Sequence, residues 1–359
     1  MTILFHLGHP AHFHLFKFSI RELKASGHHV LIAIKKKDVL EELLQDSGLD
    51  YVNILPEGKK QSKWDLIRSQ WKQIRAIHRL VKKEKVDLLC GTSAAISLVG
   101  KWNGITSYNF NEDDAEVVPM YARLAYPWAT LIFAPKCCSV GKWQQKKIAY
   151  PSYHELAYLH PDHFTPDSKI WEQYFAQNES VFLIRFAQLT AHHDSGIKGI
   201  NLELALKIIE KLEQHGTICI NSEKELPPEL EKYQLHIKAS EMHHIQANCR
   251  LFIGDSQTMS AECAVLGVPF IRINDFAGRL SYLEELENHF GLGKSFLPQE
   301  KEQILETLDH WLNAKNLHSQ WQEKKVQMLT QRINLSDYIT RQLLRAPKEL
   351  LEESGKARQ

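Results

Sequence analysis

Short apolar, β-rich runs alternate with helical patterns along this chain, stop, and then alternate again, and no other feature narrows its fold as far. The first series places strands at 3–7, 29–34, 51–55, 86–90, 105–108 and 130–134. Helical periodicity lies between them at about 13–26, 38–46, 63–85 and 94–103. A passage rich in Pro and Tyr from Tyr150 through Pro166 carries no periodicity. The pattern resumes with strands at 181–186, 217–221, 235–238, 251–254 and 269–273 and helices at 202–214, 241–248 and 259–266. Strands alternating with helices make a parallel sheet wrapped by helices. The expectation is therefore an α/β protein of two tandem Rossmann-like domains, 1–150 and 180–335, joined by a linker at 151–179. A helix and charged tail follow at 336–359. Such open sheets take ligands in the crevice outside the carboxyl ends of their strands, so function is sought in the loops after strands and in an interdomain cleft.

Composition removes several classes. Apolar residues make up 43% of the 359 and charged residues 24%, far from the regime of disorder. A formal charge of +1 gives no case for nucleic acid as a partner. The charge is unevenly spread: residues 1–150 hold 22 Lys and Arg against 14 Asp and Glu, and the remainder carries an acidic excess. Six cysteines without a C-x-x-C pair read as buried thiols of a reducing compartment. Met1 leads straight into a strand pattern without the order of a signal peptide, so the expected location is the cytoplasm. The apolar stretch 117–135 contains Arg123 and three prolines and fails as a spanning helix, though it suits contact with a membrane surface.

Three loops hold the chemistry. After the first strand comes Gly8-His9-Pro10-Ala11-His12-Phe13-His14, where an imidazole can accept a substrate proton near neutral pH. Histidines at 6, 9, 12 and 14 also allow a metal reading, as does His192-His193-Asp194, which lacks a third partner of obvious spacing. Near the end of the second series, Gly254-Asp255-Ser256-Gln257-Thr258-Met259 passes from a strand into a helix whose amino terminus offers free N–H groups to a phosphate. Glu262, one turn after Thr258, is placed to accept hydrogen bonds from a ribose diol. Arg185 and His192 flank the loop after the strand at 181–186, where a guanidinium fork matches phosphate oxygens. His243-His244 at a helix start read as structural. Trp64, Trp71 and Lys72 read as a packed helix face with a solvated back. The runs Lys35-Lys36-Lys37, Lys82-Lys83 and Lys146-Lys147 are either solvated faces or a surface for anionic lipid.

These residues carry a resemblance. Ser256, Glu262 and Leu266-Gly267-Val268-Pro269 are similar to the D-S-G-G-x-x-E-E and L-G-x-P motifs of GT-B glycosyltransferases and UDP-N-acetylglucosamine 2-epimerases, with Gln257 and Thr258 in place of two glycines. The amino-terminal loop resembles that of GT-B sugar transferases, in which a catalytic histidine precedes a helix ending L-x-x-x-G-H-x-V. Counted back from Gly27, that position is His12. Over nearly all of residues 1–300 the chain resembles a GT-B-like family of bacteria and archaea, through H-P-A-H-x-H-x-F-K, Y-H-E-L-A-Y-L-H-P and G-D-S-x-T-M-S-x-E.

The resemblance implies an acceptor-binding first domain and a second domain holding a nucleotide-sugar donor, UDP-linked, through Arg185, His192, Gly254, Asp255, Ser256, Gln257, Thr258, Met259 and Glu262. His12 would be the catalytic base, with Glu112 and Asp113 orienting it or binding acceptor hydroxyls. Epimerases of this fold carry an acid in a G-D-T-T loop; here Cys90-Gly91-Thr92-Ser93 puts Thr92 there. The expected activity is thus an inverting, metal-independent glycosyl transfer with no further cofactor, in cell-surface polysaccharide or glycolipid assembly. The acceptor would be a glycan or lipid-linked, and the basic first domain suits peripheral membrane contact. A 2-epimerase, a metal-dependent hydrolase and a silent nucleotide-sugar binder are the alternatives.

Overall fold

The computed structural model describes residues 1–35, 39–55, 63–186, 199–222 and 225–356, with backbone alone at 63–67 and 356. It divides into two compact units, Met1–Tyr158 with Ile333–Gln359, and Leu159–Arg332.

Unit 1 is built on seven parallel strands: β1 Thr2–Leu7, β2 His29–Lys35, β3 Val52–Leu55, β4 Leu88–Gly91, β5 Thr106–Phe110, β6 Leu131–Pro135 and β7 Lys147–Tyr150. Their order is 3-2-1-4-5-6-7, so the winding reverses between β1 and β4. β1 is buried from Ile3 to Leu7 because helices cover both faces, which is why it reads as an apolar run broken only by His6. Phe5, Phe16, Phe110 and Phe133 form a chain of ring contacts at 4.6–5.3 Å through this core. The helix Pro10–Ala25 begins earlier than its periodicity suggests, because His9 caps it and Pro10 fits the first turn.

Unit 2 has five parallel strands: β8 Val181–Phe186, β9 Thr217–Ser222, β10 Leu251–Gly254, β11 Phe270–Ile273 and β12 Gly293–Phe296. The order 12-11-10-8-9 reverses between β8 and β10.

Three differences from the sequence reading have local causes. The strand expected at 235–238 is a single bridge, Ile220 to Gln234, because its apolar residues are only half-buried beyond the edge strand β9. β7 and β12 were not expected: β7 opens on Lys147, and Gly293-Lys-Ser-Phe has no β-branched residue. Lys147, read as part of a run that is either a solvated face or a surface for anionic lipid, is buried and donates to the carbonyls of Lys136 and Cys138.

The carboxy-terminal residues, read as a separate helix and tail, are part of unit 1. Helix Leu335–Leu343 lies on helix Pro10–Ala25, with Ser19 Oγ donating to Ser336 O at 3.1 Å. Tyr108 OH donates to Arg345 O at 2.9 Å and Ser152 Oγ to Ile333 O at 2.7 Å. An amphipathic helix has to bury its apolar stripe somewhere, and Leu335, Ile339 and Leu343 bury theirs here.

Candidate functional site

In unit 2 the winding reversal places the ends of β8 and β10 side by side, with Gly254 in register with Arg185. The approach is close: a Cβ on Gly254 would lie 2.6 Å from Arg185 O. Gly254→Ala is therefore expected to force β8 and β10 apart and cost about 1–3 kcal/mol by overpacking, read as a lowered urea midpoint. Wild-type stability in that variant would refute the steric reading.

Past Gly254 the chain turns at Asp255 into the helix Gln257–Leu266, two residues earlier than its periodicity suggests. Ser256 is the cause: its Oγ accepts from Met259 N at 3.3 Å, and its carbonyl accepts from Ser260 Oγ at 2.7 Å. Gln257 and Thr258 occupy the first turn, where N–H groups have no intrahelical acceptor and the helix dipole is positive. Gly267, at φ +74°, ends the helix in the left-handed conformation. Arg185 Nη1 donates to the side-chain and main-chain oxygens of Asn221 on β9, which holds the guanidinium at the carboxyl end of the sheet. A capped helix start at the carboxyl end of the sheet is an arrangement suited to a phosphate or diphosphate; Arg185 lies one strand away, with its guanidinium turned to β9.

Glu262 has the expected helical position, but its carboxylate is 5% exposed and faces the helix Met242–Asn248. Oε1 lies 3.0 Å from His243 Nε2, and Oε2 accepts from Gln246 Nε2 at 3.1 Å. His243 is thus a structural partner at a helix start, and the Glu262 carboxylate is turned to it and to Gln246. His192 and the rest of 187–198 lie outside the described residues.

Sequence reasoning missed the buried network beneath this loop. Arg272, fully buried in the apolar strand β11, donates from Nε and Nη2 to Glu287 Oε1 at 3.0 and 2.8 Å, and from Nη1 to Asn274 Oδ1 at 3.1 Å. Ser295 Oγ donates to Glu287 Oε2, and Asn274 Nδ2 donates to the Asp255 carbonyl at 2.9 Å. Glu287 belongs to a π-helical turn, Glu285–His289. The available signal was an arginine inside an otherwise apolar run, Phe270-Ile271-Arg272-Ile273.

In unit 1 the four histidines divide into two buried ones and a pair, His9 and His12, whose rings lie 6.0 Å apart. His6 is buried with Gln73 Nε2 at 2.9 Å from its Nε2, and His14 is buried against the Tyr158 ring at 5.0 Å. His9 accepts from Ala11 N at Nδ1, 3.2 Å, and His12 accepts from Gly8 N at Nδ1, 3.2 Å. The His12 Nδ1 lone pair is thus the accepting one, and the neutral ring carries its proton on Nε2. Among the described residues no group of three or more His, Cys, Asp or Glu is placed to hold a metal ion.

After β5, Glu112 Oε1 lies 3.3 Å from His154 Nδ1, and Oε2 accepts from His154 N at 3.2 Å. Burial pushes His154 down to about 4, so the ring is neutral at ordinary pH. Burial raises Asp113 above the usual carboxylate range, against the opposing effect of His154. Asp114 Oδ1 accepts from Ser139 N at 2.6 Å. The acidic turn is therefore built into the unit, and Glu112 is joined to His154 of the Y-H-E-L-A segment. Thr92 follows Gly91 at the end of β4, with its hydroxyl buried and without a hydrogen-bond partner.

No family model and no curated protein sequence matches the chain. Solved structures do. UDP-GlcNAc 2-epimerase from Neisseria meningitidis bound to UDP-GlcNAc is 15% identical, with a TM-score of 0.68 over 96% of this chain and all of that one. The S. aureus protein MnaA with UDP is 14% identical, with a TM-score of 0.68 over 94% of each chain. Spinosyn forosaminyltransferase SpnP is 14% identical, with a TM-score of 0.63 over 98% of this chain and 99% of that one. The chain has the fold of these proteins, the two-domain GT-B fold. Among the described residues no helix is long and apolar enough to cross a membrane.

Proposed function

We propose that the protein is an enzyme acting on a nucleotide sugar, and within that class a glycosyltransferase. The carrying observation is the Ser256-capped helix start at the reversal point of the second sheet, one strand from Arg185. Solved proteins of this fold bound to UDP or UDP-GlcNAc support a UDP-linked donor there. Arg185 and the N–H groups of Gln257 and Thr258 would neutralise the charge that grows on the departing diphosphate. Thr92 favours transfer over epimerisation, because a hydroxyl cannot serve as the acid or base for a sugar carbon at neutral pH.

In this reading an acceptor hydroxyl, glycan or lipid-linked, replaces Gly8 N–H as the donor to His12 Nδ1 and gives up its proton there. The acceptor oxygen then forms the new bond to the anomeric carbon as the bond to the diphosphate breaks, with inversion. Glu112 and Asp113 bind acceptor hydroxyls. The site residues require no metal for this step.

The test has two parts. Addition of UDP or UDP-sugars is expected to raise the melting temperature equally with and without EDTA. His12→Ala should keep that rise and lose transfer at least a hundredfold. Full transfer by His12→Ala would remove the base assignment. A new sugar epimer formed from donor alone would replace the transferase with an epimerase.

A further inference from the structure

The molecule presents one face that neither the sheet core nor the candidate site uses. Trp71, read from the sequence as packed, is 49% exposed and stacks on Trp102, itself 51% exposed, at 6.2 Å and 20°. On the neighbouring helix Pro119–Ala125, Met120 is 75% and Leu124 58% exposed, followed by Trp128 at 43%. The two groups are connected, because helix Ala94–Asn103, which carries Trp102, packs against helix Pro119–Ala125. Lys146 Nζ donates to the carbonyls of Tyr126, Pro127 and Ala129, at the turn that holds Trp128.

Five large apolar side chains standing in water need a reason, since scattered exposure does not produce a stacked tryptophan pair beside an aliphatic ridge. Their surroundings supply it. Over 68–75 and 101–128 the exposed charged side chains are Arg68, Lys72, Arg75, Lys101 and Arg123, against the single acid Glu116. On another side of helix Pro119–Ala125 a groove of about 340 Å³ lies between Ala115, Ala122 and Trp143, with Arg123, Lys142 and Glu116 among its lining residues.

We propose that this face of unit 1, helices Lys63–Glu84, Ala94–Asn103 and Pro119–Ala125, docks on an anionic lipid bilayer. Tryptophans settle at the headgroup level, Met120 and Leu124 enter the acyl boundary, and the cations pair with lipid phosphates. Charge complementarity decides the occupant. A second copy of this chain, related by a two-fold axis, would set cations against cations, whereas an anionic bilayer meets every one of them with opposite charge. The proposal does not depend on which reaction the site performs.

The full chain is tested by co-sedimentation with vesicles of phosphatidylcholine alone and of phosphatidylcholine mixed with phosphatidylglycerol. Binding is expected to the mixed vesicles, with a blue shift of tryptophan emission, and should weaken severalfold at high salt. The triple variant Met120→Ser, Leu124→Ser, Trp128→Ser should lose at least tenfold in vesicle binding. A second variant, Lys101→Glu with Arg123→Glu, should lose binding to mixed vesicles while keeping the melting temperature of the wild type. Equal sedimentation of wild type with neutral and mixed vesicles, no binding to either, or unchanged binding by a folded variant overturns the proposal. So does a lipid-free dimer that the triple variant converts to monomer, which would make the face a self-interface.

Discussion

Lowering the pH from about 6.5 toward 4 is expected to cost the fold stability through two buried histidines. Burial holds His154 down to about 4, and burial with the nearby Lys35 charge does the same to His6, against an ordinary value of 6.5. Between those values the unfolded chain binds protons that the folded rings refuse, so stability is intact above about 6.5 and falls as the pH drops toward the folded values. At 1.36 kcal/mol per pH unit the loss approaches about 3 kcal/mol for each ring. Asp113 and Glu287, raised by burial, act in the opposite sense, because their folded forms take up protons first. The clean measurement is therefore a difference: urea unfolding of wild type and His154→Gln across pH 7 to 4. The variant should show a shallower decline, and parallel curves would mean that His154 is protonated in the folded protein.

The second large effect is expected at Arg272. Its guanidinium and the Glu287 carboxylate are both fully removed from water, at 0% and 2% side-chain exposure. Arg272→Met would strand a buried carboxylate and leave Asn274 Oδ1 without its strongest donor, a loss of about 3–5 kcal/mol. The double variant Arg272→Met, Glu287→Leu should recover much of that, because two apolar side chains avoid the desolvation of both ions. Thermal unfolding of the three proteins checks this, and a single variant within about 1 kcal/mol of wild type would contradict it. The same network reaches the Asp255 carbonyl through Asn274, so the single variant should also weaken the nucleotide binding proposed for the helix start after it.

The parallel architecture was legible because strands buried on both faces read as near-continuous apolar runs and helices must show a stripe; β10 obeys this, and β1 and β8 depart from it only at Thr2, His6 and Arg185. The edges were less legible. β7 and β12 are held by pairing to β6 and β11 rather than by their own composition, and pairing partners are not written in a short segment. At the site, the helix start at Ser256 could be read because capping demands particular residue types, whereas the close approach that requires Gly254 is visible only in the structure. The orientation of Glu262 could not, because helical spacing gives an angular position and leaves open which neighbour lies there. His243 and Gln246 come from a separate helix. Arg272 shows the same limit: a buried charge is intelligible only with its counter-ion, which lies fifteen residues on in a π-turn.

The return of the last helices to unit 1 also sets an order of events during synthesis. Ser19, Tyr108 and Ser152 find partners at Ser336, Arg345 and Ile333, after all of unit 2 has been made. A ribosome moving from the amino terminus releases a unit 2 that is already complete in sequence while unit 1 still waits for its closing segment. Until those helices emerge, the apolar faces they cover stay open to chaperones, and a chain halted before residue 333 would hold one finished unit and one that cannot close.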